Sequence, residues 1–223
     1  MFGRISPWYD LLNHTLSLGL DITWRRRMMP FVRCSKTGRV LDLAAGTLDV
    51  SRQISRSYPG CSIIGADLSL PMLRRGLPKM ECARFLPLCA DGLALPVAEA
   101  SVDCVTIAFG IRNIAPRSAA YREMLRVLAP KGRLCILEFG SGRERIWGGM
   151  YNFYLRRLLP GLGRLVSKDR EAYAYLSRTI SEFPSAEELA DELHRAGFEN
   201  VGHRAFSSGI VRLHTADKPG GQP

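Results

Sequence analysis

From Arg39 onward, the apolar positions fall into short runs separated by stretches of helical character. The runs in "RVLDL", "SIIGA", "ARFLPL", "VDCVTIA" and "RLCILEF" are apolar almost throughout, as strands buried on both faces are. They predict strands at 39–43, 62–66, 83–88, 102–108 and 133–139, with helices at about 47–58, 69–76 and 117–128. Pro130-Lys131-Gly132 supplies a turn before the fifth strand. Alternation of this kind implies a parallel sheet with helices on both faces. Further on, Pro184-Ser185-Ala186-Glu187-Glu188 reads as a helix start and Ala196-Gly197 as its end. Two strand-like runs at about 199–206 and 209–215 then predict a hairpin at the sheet edge.

Residues 1–36 and 140–180 stand outside this alternation. Both are helical in character and mix aromatics with arginines: Trp8, Tyr9 and Trp24 in one, Trp147, Tyr151, Phe153 and Tyr154 in the other. Ligands of open α/β sheets bind beyond the carboxyl ends of the strands. The second segment leaves from the end of the fifth strand and is placed to roof that crevice; the first can reach it. The expected layout is one domain over 1–223. It comprises a helical cap (1–36), a binding core (37–139), a helical cap insertion (140–180), a C-terminal helix with hairpin (181–215) and a tail (216–223).

The length of 223 residues suits one domain, and the composition is that of a globular chain with a large core. No apolar run approaches the roughly 18 residues that span a bilayer. "MFGRISPWYD" lacks the apolar stretch of a signal peptide, so a cytoplasmic location is expected. The six cysteines (34, 61, 82, 89, 104 and 135) lie far apart, mostly in apolar runs. Free buried thiols are expected, with no disulfide and no metal. Of the net charge of +10, segment 1–36 carries +4 and segment 140–170 carries +5. The basic charge is thus added to a nearly neutral body, and nucleic acid and anionic membrane are both candidate partners.

Candidate chemistry begins at "VLDLAAGTLDVS", residues 40–51. A Walker loop needs Gly-Lys-Ser/Thr, and a dinucleotide fingerprint needs three glycines. Gly46 stands alone, so a cofactor bearing phosphate is disfavoured. S-adenosylmethionine has no phosphate, and one glycine with nearby carboxylates meets its needs. Asp42, Gly46 and Thr47 belong to this loop. Asp67 closes the second strand, where its two oxygens suit a ribose diol; a helix N-cap is the other reading. Asp91-Gly92 follows the third strand, positioned for an adenine amine. Asp103 opens the fourth strand and reads as structural.

The chain resembles the ubiquinone/menaquinone biosynthesis C-methyltransferases from about Phe2 to His214. The resemblance rests on "YDLLNHTLSLGLDITWRR", "LDLAAGTLD", "ADGLALPVAEASVDCVTIAFGIRNI", "LRVLAPKGRLCILEF", "LVSKDREAYAYLSRTI" and "AGFENVGHRAFSSGIVRLH". It implies a class I S-adenosylmethionine-dependent methyltransferase fold, Rossmann-like, with a seven-stranded, mostly parallel sheet. It places Thr47, Asp67, Asp91, Gly92 and Ala108 at cofactor contacts. Arg112 and Asn113 resemble the residues that hold the quinol oxygens and an activating water, and Tyr9 is a further candidate for that relay. The implied substrate is a polyprenyl quinol, with demethylmenaquinol favoured. The implied setting is a soluble protein in peripheral contact with anionic membrane, without nucleic acid, and a homodimer is open.

The chain departs from the family pattern at four positions. Leu48 replaces a glycine, Ala45 stands where glycine is common, Ala108 replaces a serine, and His14 replaces an acidic residue. Leu48 is expected to crowd the methionine end of the cofactor and lower its affinity. A reduced quinone is nucleophilic at the carbon beside a phenolic oxygen, so the enzyme must position it and accept a proton. An arginine there suits charge stabilisation better than general-base work. Two other readings compete. An RNA methyltransferase would carry Asn-Pro-Pro-Tyr or a catalytic cysteine motif where Phe109-Gly-Ile-Arg-Asn113 stands. A non-catalytic protein that has kept the fold would account for Leu48 and Ala108.

Overall fold

The computed structural model describes residues 17, 19–35, 37–80, 84–140, 179 and 182–220. Its strands are β1 (Arg39–Leu43), β2 (Ser62–Asp67), β3 (Phe85–Cys89), β4 (Val102–Ala108), β5 (Leu128–Phe139), β6 (Glu199–Phe206) and β7 (Val211–Asp217). They form one sheet in the order β3-β2-β1-β4-β5-β7-β6. The first five run parallel, joined by crossovers, while β7 pairs antiparallel with both β5 and β6. The hairpin from β6 to β7 reverses the chain, so β7 alone runs against the other six strands. The strand order turns back between β1 and β4, and a crevice opens at the carboxyl ends of these two strands.

The helices are α1 (Leu20–Met28), α2 (Asp49–Ser57), α3 (Leu70–Gly76), α4 (Arg117–Val127) and α5 (Ala186–Arg195). Alternate residues of each strand enter opposite cores. Val40, Ile63, Cys104 and Cys135 pack with Trp24 and Met28 of α1 and with Val50 and Ile54 of α2. Leu41, Leu43, Val105 and Ile107 pack with Tyr121 and Met124 of α4 and with Leu189 and Leu193 of α5. Arg117 and Tyr121 both bond the Glu192 carboxylate, tying α4 to α5. The predicted start of α5 is a reciprocal cap. Ser185 Oγ accepts the Glu188 N–H, and the Glu188 carboxylate accepts the Ser185 N–H.

Several expectations shift. β5 begins at Leu128, directly after α4, and Pro130-Lys131-Gly132 is an internal bulge. The register jumps from Val102↔Leu128 to Cys104↔Arg133, with Lys131 at φ +63°. α2 begins at Asp49 because Gly46 and Leu48 are left-handed, at +54° and +66°, and cannot start a right-handed helix. β7 runs on to Asp217, whose carboxylate takes Arg133 Nε at 2.8 Å.

The cysteine expectation is corrected at one pair: Cys34 and Cys61 form a disulfide across 27 residues of sequence. The loop after α1 is held against the end of α2 by Tyr58 Oη, which donates towards the Met29 and Val32 carbonyls. That docking brings the two Cα atoms to 6.5 Å, a tertiary proximity that sequence spacing does not reveal. Cys104 and Cys135 are free and buried as expected, while Cys89 is free and exposed; Cys82 lies outside the described residues. Of the proposed caps, residues 17, 19–35, 140 and 179 are described. Tyr9, Trp8 and segment 141–178 lie outside the described residues. Among the described residues, no helix is long and apolar enough to cross a membrane.

Candidate active site

A cavity of about 290 Å³ opens at the crevice between β1 and β4. Of the predicted residues, Gly46, Asp67, Asp91, Gly92, Ala108 and Asn113 lie on its wall. They come from four separate strand ends, so only the sheet order brings them together. Apolar faces from Leu43, Met72 and Ile114 complete the lining, a mixture suited to a small organic ligand.

The turn from Ala44 to Leu48 is built on alternate left-handed residues: Ala44 at +52°, Gly46 at +54° and Leu48 at +66°. The Ala45 N–H reaches the Ala66 carbonyl at 3.0 Å, and the Gly46 N–H reaches Asp67 Oδ2 at 2.8 Å. Asp67 Oδ1 accepts the Ser69 N–H at 2.7 Å. Asp67 therefore holds both the turn and the start of α3. A carboxylate has about four acceptor positions. Two are used, which leaves each oxygen able to take one hydroxyl of a diol. Burial pushes the Asp67 pKa up, and the two backbone donors pull against it.

Gly110 is where the fourth strand's loop meets this turn. A Cβ there would stand 2.5 Å from the Ala44 Cβ, so glycine lets the two walls of the crevice close up. Asp91 Oδ1 accepts the Leu93 N–H at 2.9 Å, folding the loop after β3 into a turn that presents Gly92.

Asp42 and Thr47 are buried and do not line the cavity. Asp42 instead accepts from Ser51 Oγ at 2.6 Å and Thr106 Oγ1 at 3.1 Å, joining β1 to α2 and β4. Burial raises its pKa to about 7 despite those hydroxyls. The Leu48 expectation is also corrected. Its side chain is fully buried, away from the cavity wall, between β2 and α3. A Cβ on Gly65 would lie 3.0 Å from Leu48 Cδ2, and one on Gly76 would lie 2.6 Å from Leu48 Cγ. Two glycines thus make room for the leucine beneath the turn, and no atom of it narrows the cavity mouth.

Arg112 is not on the wall either. It follows Gly110 in the single turn Ile111–Asn113, and its guanidinium pairs with the buried Glu138 at the end of β5. The same guanidinium lies over Phe139, 5.6 Å from the ring centroid. Phe139 packs 4.9 Å from Phe109, a cavity-lining residue held left-handed at +57°, and Trp24 of α1 completes the aromatic group. Desolvation raises the Glu138 pKa, while Arg112 and the neighbouring backbone N–H groups draw it down. Glu138 was not singled out from sequence, and Trp24 was noted there only as an aromatic of the 1–36 segment. The available signal for Glu138 was a lone carboxylate in the apolar run "LCILEF".

This arrangement has relatives. A family model described as the ubiE/COQ5 methyltransferase family matches residues 1–218. The chain is 42% identical to a demethylmenaquinone methyltransferase of Thermus thermophilus, over 98% of this chain and all of that one. It is 43% identical to a ubiquinone/menaquinone biosynthesis C-methyltransferase UbiE of Geobacter sulfurreducens, over 98% of this chain and 87% of that one. Its fold is similar to that of a SAM-dependent methyltransferase from Thermotoga maritima, with a TM-score of 0.70 and 16% identity over 97% of each chain. The whole-chain family match and the two relatives agree with the crevice geometry: the chain belongs to the ubiE/COQ5 methyltransferase family and, with it, to the S-adenosylmethionine-dependent methyltransferases.

Proposed function

We propose that this protein transfers a methyl group from S-adenosylmethionine to a ring carbon of a reduced polyprenyl quinone, demethylmenaquinol in the first place. The observation that carries the reading is the Asp67 carboxylate. It is pinned by two backbone donors at the carboxyl end of β2, with one acceptor position on each oxygen open beside a single-glycine turn. Such a group suits a ribose diol and offers no cradle for phosphate. The names of the relatives support the quinone ring as acceptor.

Asp67, Gly46, Asp91 and Gly92 would hold the cofactor, and Met72 and Ile114 would flank it. When bound, the cofactor supplies the electrophilic methyl group. The chain's part is to align the ring carbon with that methyl, to exclude water and to stabilise the phenolate as its proton leaves. Asn113 on the wall and Arg112 beside it are the polar groups for the phenolic oxygen.

The reading is tested by calorimetry with S-adenosylmethionine on the parent and on Asp67→Ala, alongside methyl transfer to a quinol. Binding is expected to disappear in a variant whose fold is intact. Unchanged affinity in Asp67→Ala would sink the cofactor assignment. In Asn113→Ala, methyl transfer is expected to fall far more than cofactor affinity.

A further inference from the structure

The ion pair of Arg112 and Glu138 is incomplete. Glu138 Oε1 takes the Arg112 guanidinium and also the Phe139 N–H at 2.9 Å. Among the described residues, Glu138 Oε2 and Arg112 Nε are both buried and have no hydrogen-bond partner. Buried polar atoms in folded proteins are nearly always satisfied, so an open pair beside a cavity marks a place where something else completes the network. The open atoms are complementary: one is a donor, the other an acceptor. They belong to the two partners of a single ion pair. Neither atom is on the cavity wall, but their neighbours are: Asn113, next along the turn, and Phe109, stacked on Phe139.

A hydroxyl is the organic group that answers both atoms at once. It accepts from Arg112 Nε–H and donates to Glu138 Oε2. A carbonyl accepts from the arginine but has no proton for the carboxylate, which stays buried and unpaired. Resting on the quinol reading above, we propose that Glu138, together with Arg112, is the subsite for the phenolic hydroxyl and selects the reduced ring over the oxidised one. The selection operates at binding, separately from the inability of an oxidised ring to be methylated. A site built to pair a substrate hydroxyl rejects the analogue that lacks it, because its own polar atoms are then left without partners.

The test measures affinity with no turnover. A short-chain 2-prenyl-1,4-naphthoquinol and its oxidised form are titrated, anaerobically, into the complex of the protein with S-adenosylhomocysteine. The parent is expected to hold the quinol at least about tenfold more tightly than the quinone, the scale set by one unpaired buried acceptor. In Glu138→Gln the side-chain amide donates where Oε2 accepted, so the ratio is expected to fall to near one while S-adenosylhomocysteine affinity is retained. A parent that methylates the quinol yet binds both redox forms equally overturns the proposal and leaves the quinol reading standing. A Glu138→Gln protein that binds cofactor and keeps the parent's ratio overturns it in the same way. A parent that binds neither ring overturns both. Should Glu138→Gln fail to fold, the parent's ratio alone still decides.

Discussion

Leu48 offers a quantitative check, because its cost and its benefit come from different parts of the structure. A leucine held at φ +66° carries backbone strain of roughly 1–2 kcal/mol, which glycine would release. Against that, its side chain is completely buried between β2 and α3, in space kept open by Gly65 and Gly76. Truncating a buried leucine typically costs about 2–5 kcal/mol, including the cavity left behind. Leu48→Gly is therefore expected to lower stability by about 2 kcal/mol, since cavity loss exceeds strain relief. For a chain of this length that corresponds to a fall in Tm of roughly 4–8 °C. Cofactor affinity is expected to stay the same, because Leu48 is not on the cavity wall. Urea unfolding gives the first quantity and calorimetry the second. A Leu48→Gly protein more stable than the parent would refute the packing argument. One that stays folded but gains or loses cofactor affinity tenfold would refute the placement of the side chain. Gly76→Ala should also destabilise, and removing Leu48 should rescue it only in part, because the added methyl would still lie 2.6 Å from the Thr47 backbone.

Three further outcomes are expected. The raised pKa of Asp42, about 7, means that its contribution to stability is present at pH below about 4 and is lost as pH rises through 7. His214, lowered to about 4 by burial, contributes stability that is present above pH 6.5 and is lost as pH falls through 4. In denaturant titrations across pH 4–7, Asp42→Asn should make stability rise with pH more steeply than in the parent; an unchanged profile would contradict the burial of this carboxylate. Thiol counting under denaturing conditions should find two fewer reactive cysteines before reduction than after it, with Cys34→Ser abolishing the difference, whereas equal counts would dismiss the Cys34–Cys61 bond. The segments that carry +9 of the net +10, together with exposed Leu20 and Ile22 beside Arg26 and Arg27 on α1, lead us to expect co-sedimentation with anionic vesicles, reversed by salt; equal binding to neutral vesicles would refute it.

Much of this protein is written locally. Strand runs such as "RVLDL" and "VDCVTIA" are apolar on both sides, and only a two-faced parallel sheet buries both sides at once. Their observed limits match the sequence reading, as do Asp67 and Asp91-Gly92 at strand ends on the cavity. The ends of the strands were legible because the hydrophobic pattern stops where the backbone leaves the sheet. Tertiary structure decided what depends on contacts between distant segments. Asp42, in β1 four residues before Gly46, faces Ser51 and Thr106 rather than the cavity, since alternate strand residues face opposite layers. Leu48 points into the gap above Gly65 and Gly76, which no local rule couples to it. Cys34 meets Cys61 only once the loop after α1 docks on α2. Arg112, read from sequence as a holder of the quinol oxygens, is paired with Glu138 only because β5 places that carboxylate against it. The physical reason is common to all four cases. Periodicity records which side of an element is buried, and the partner on that side comes from a segment whose position is set by the packing of the whole sheet.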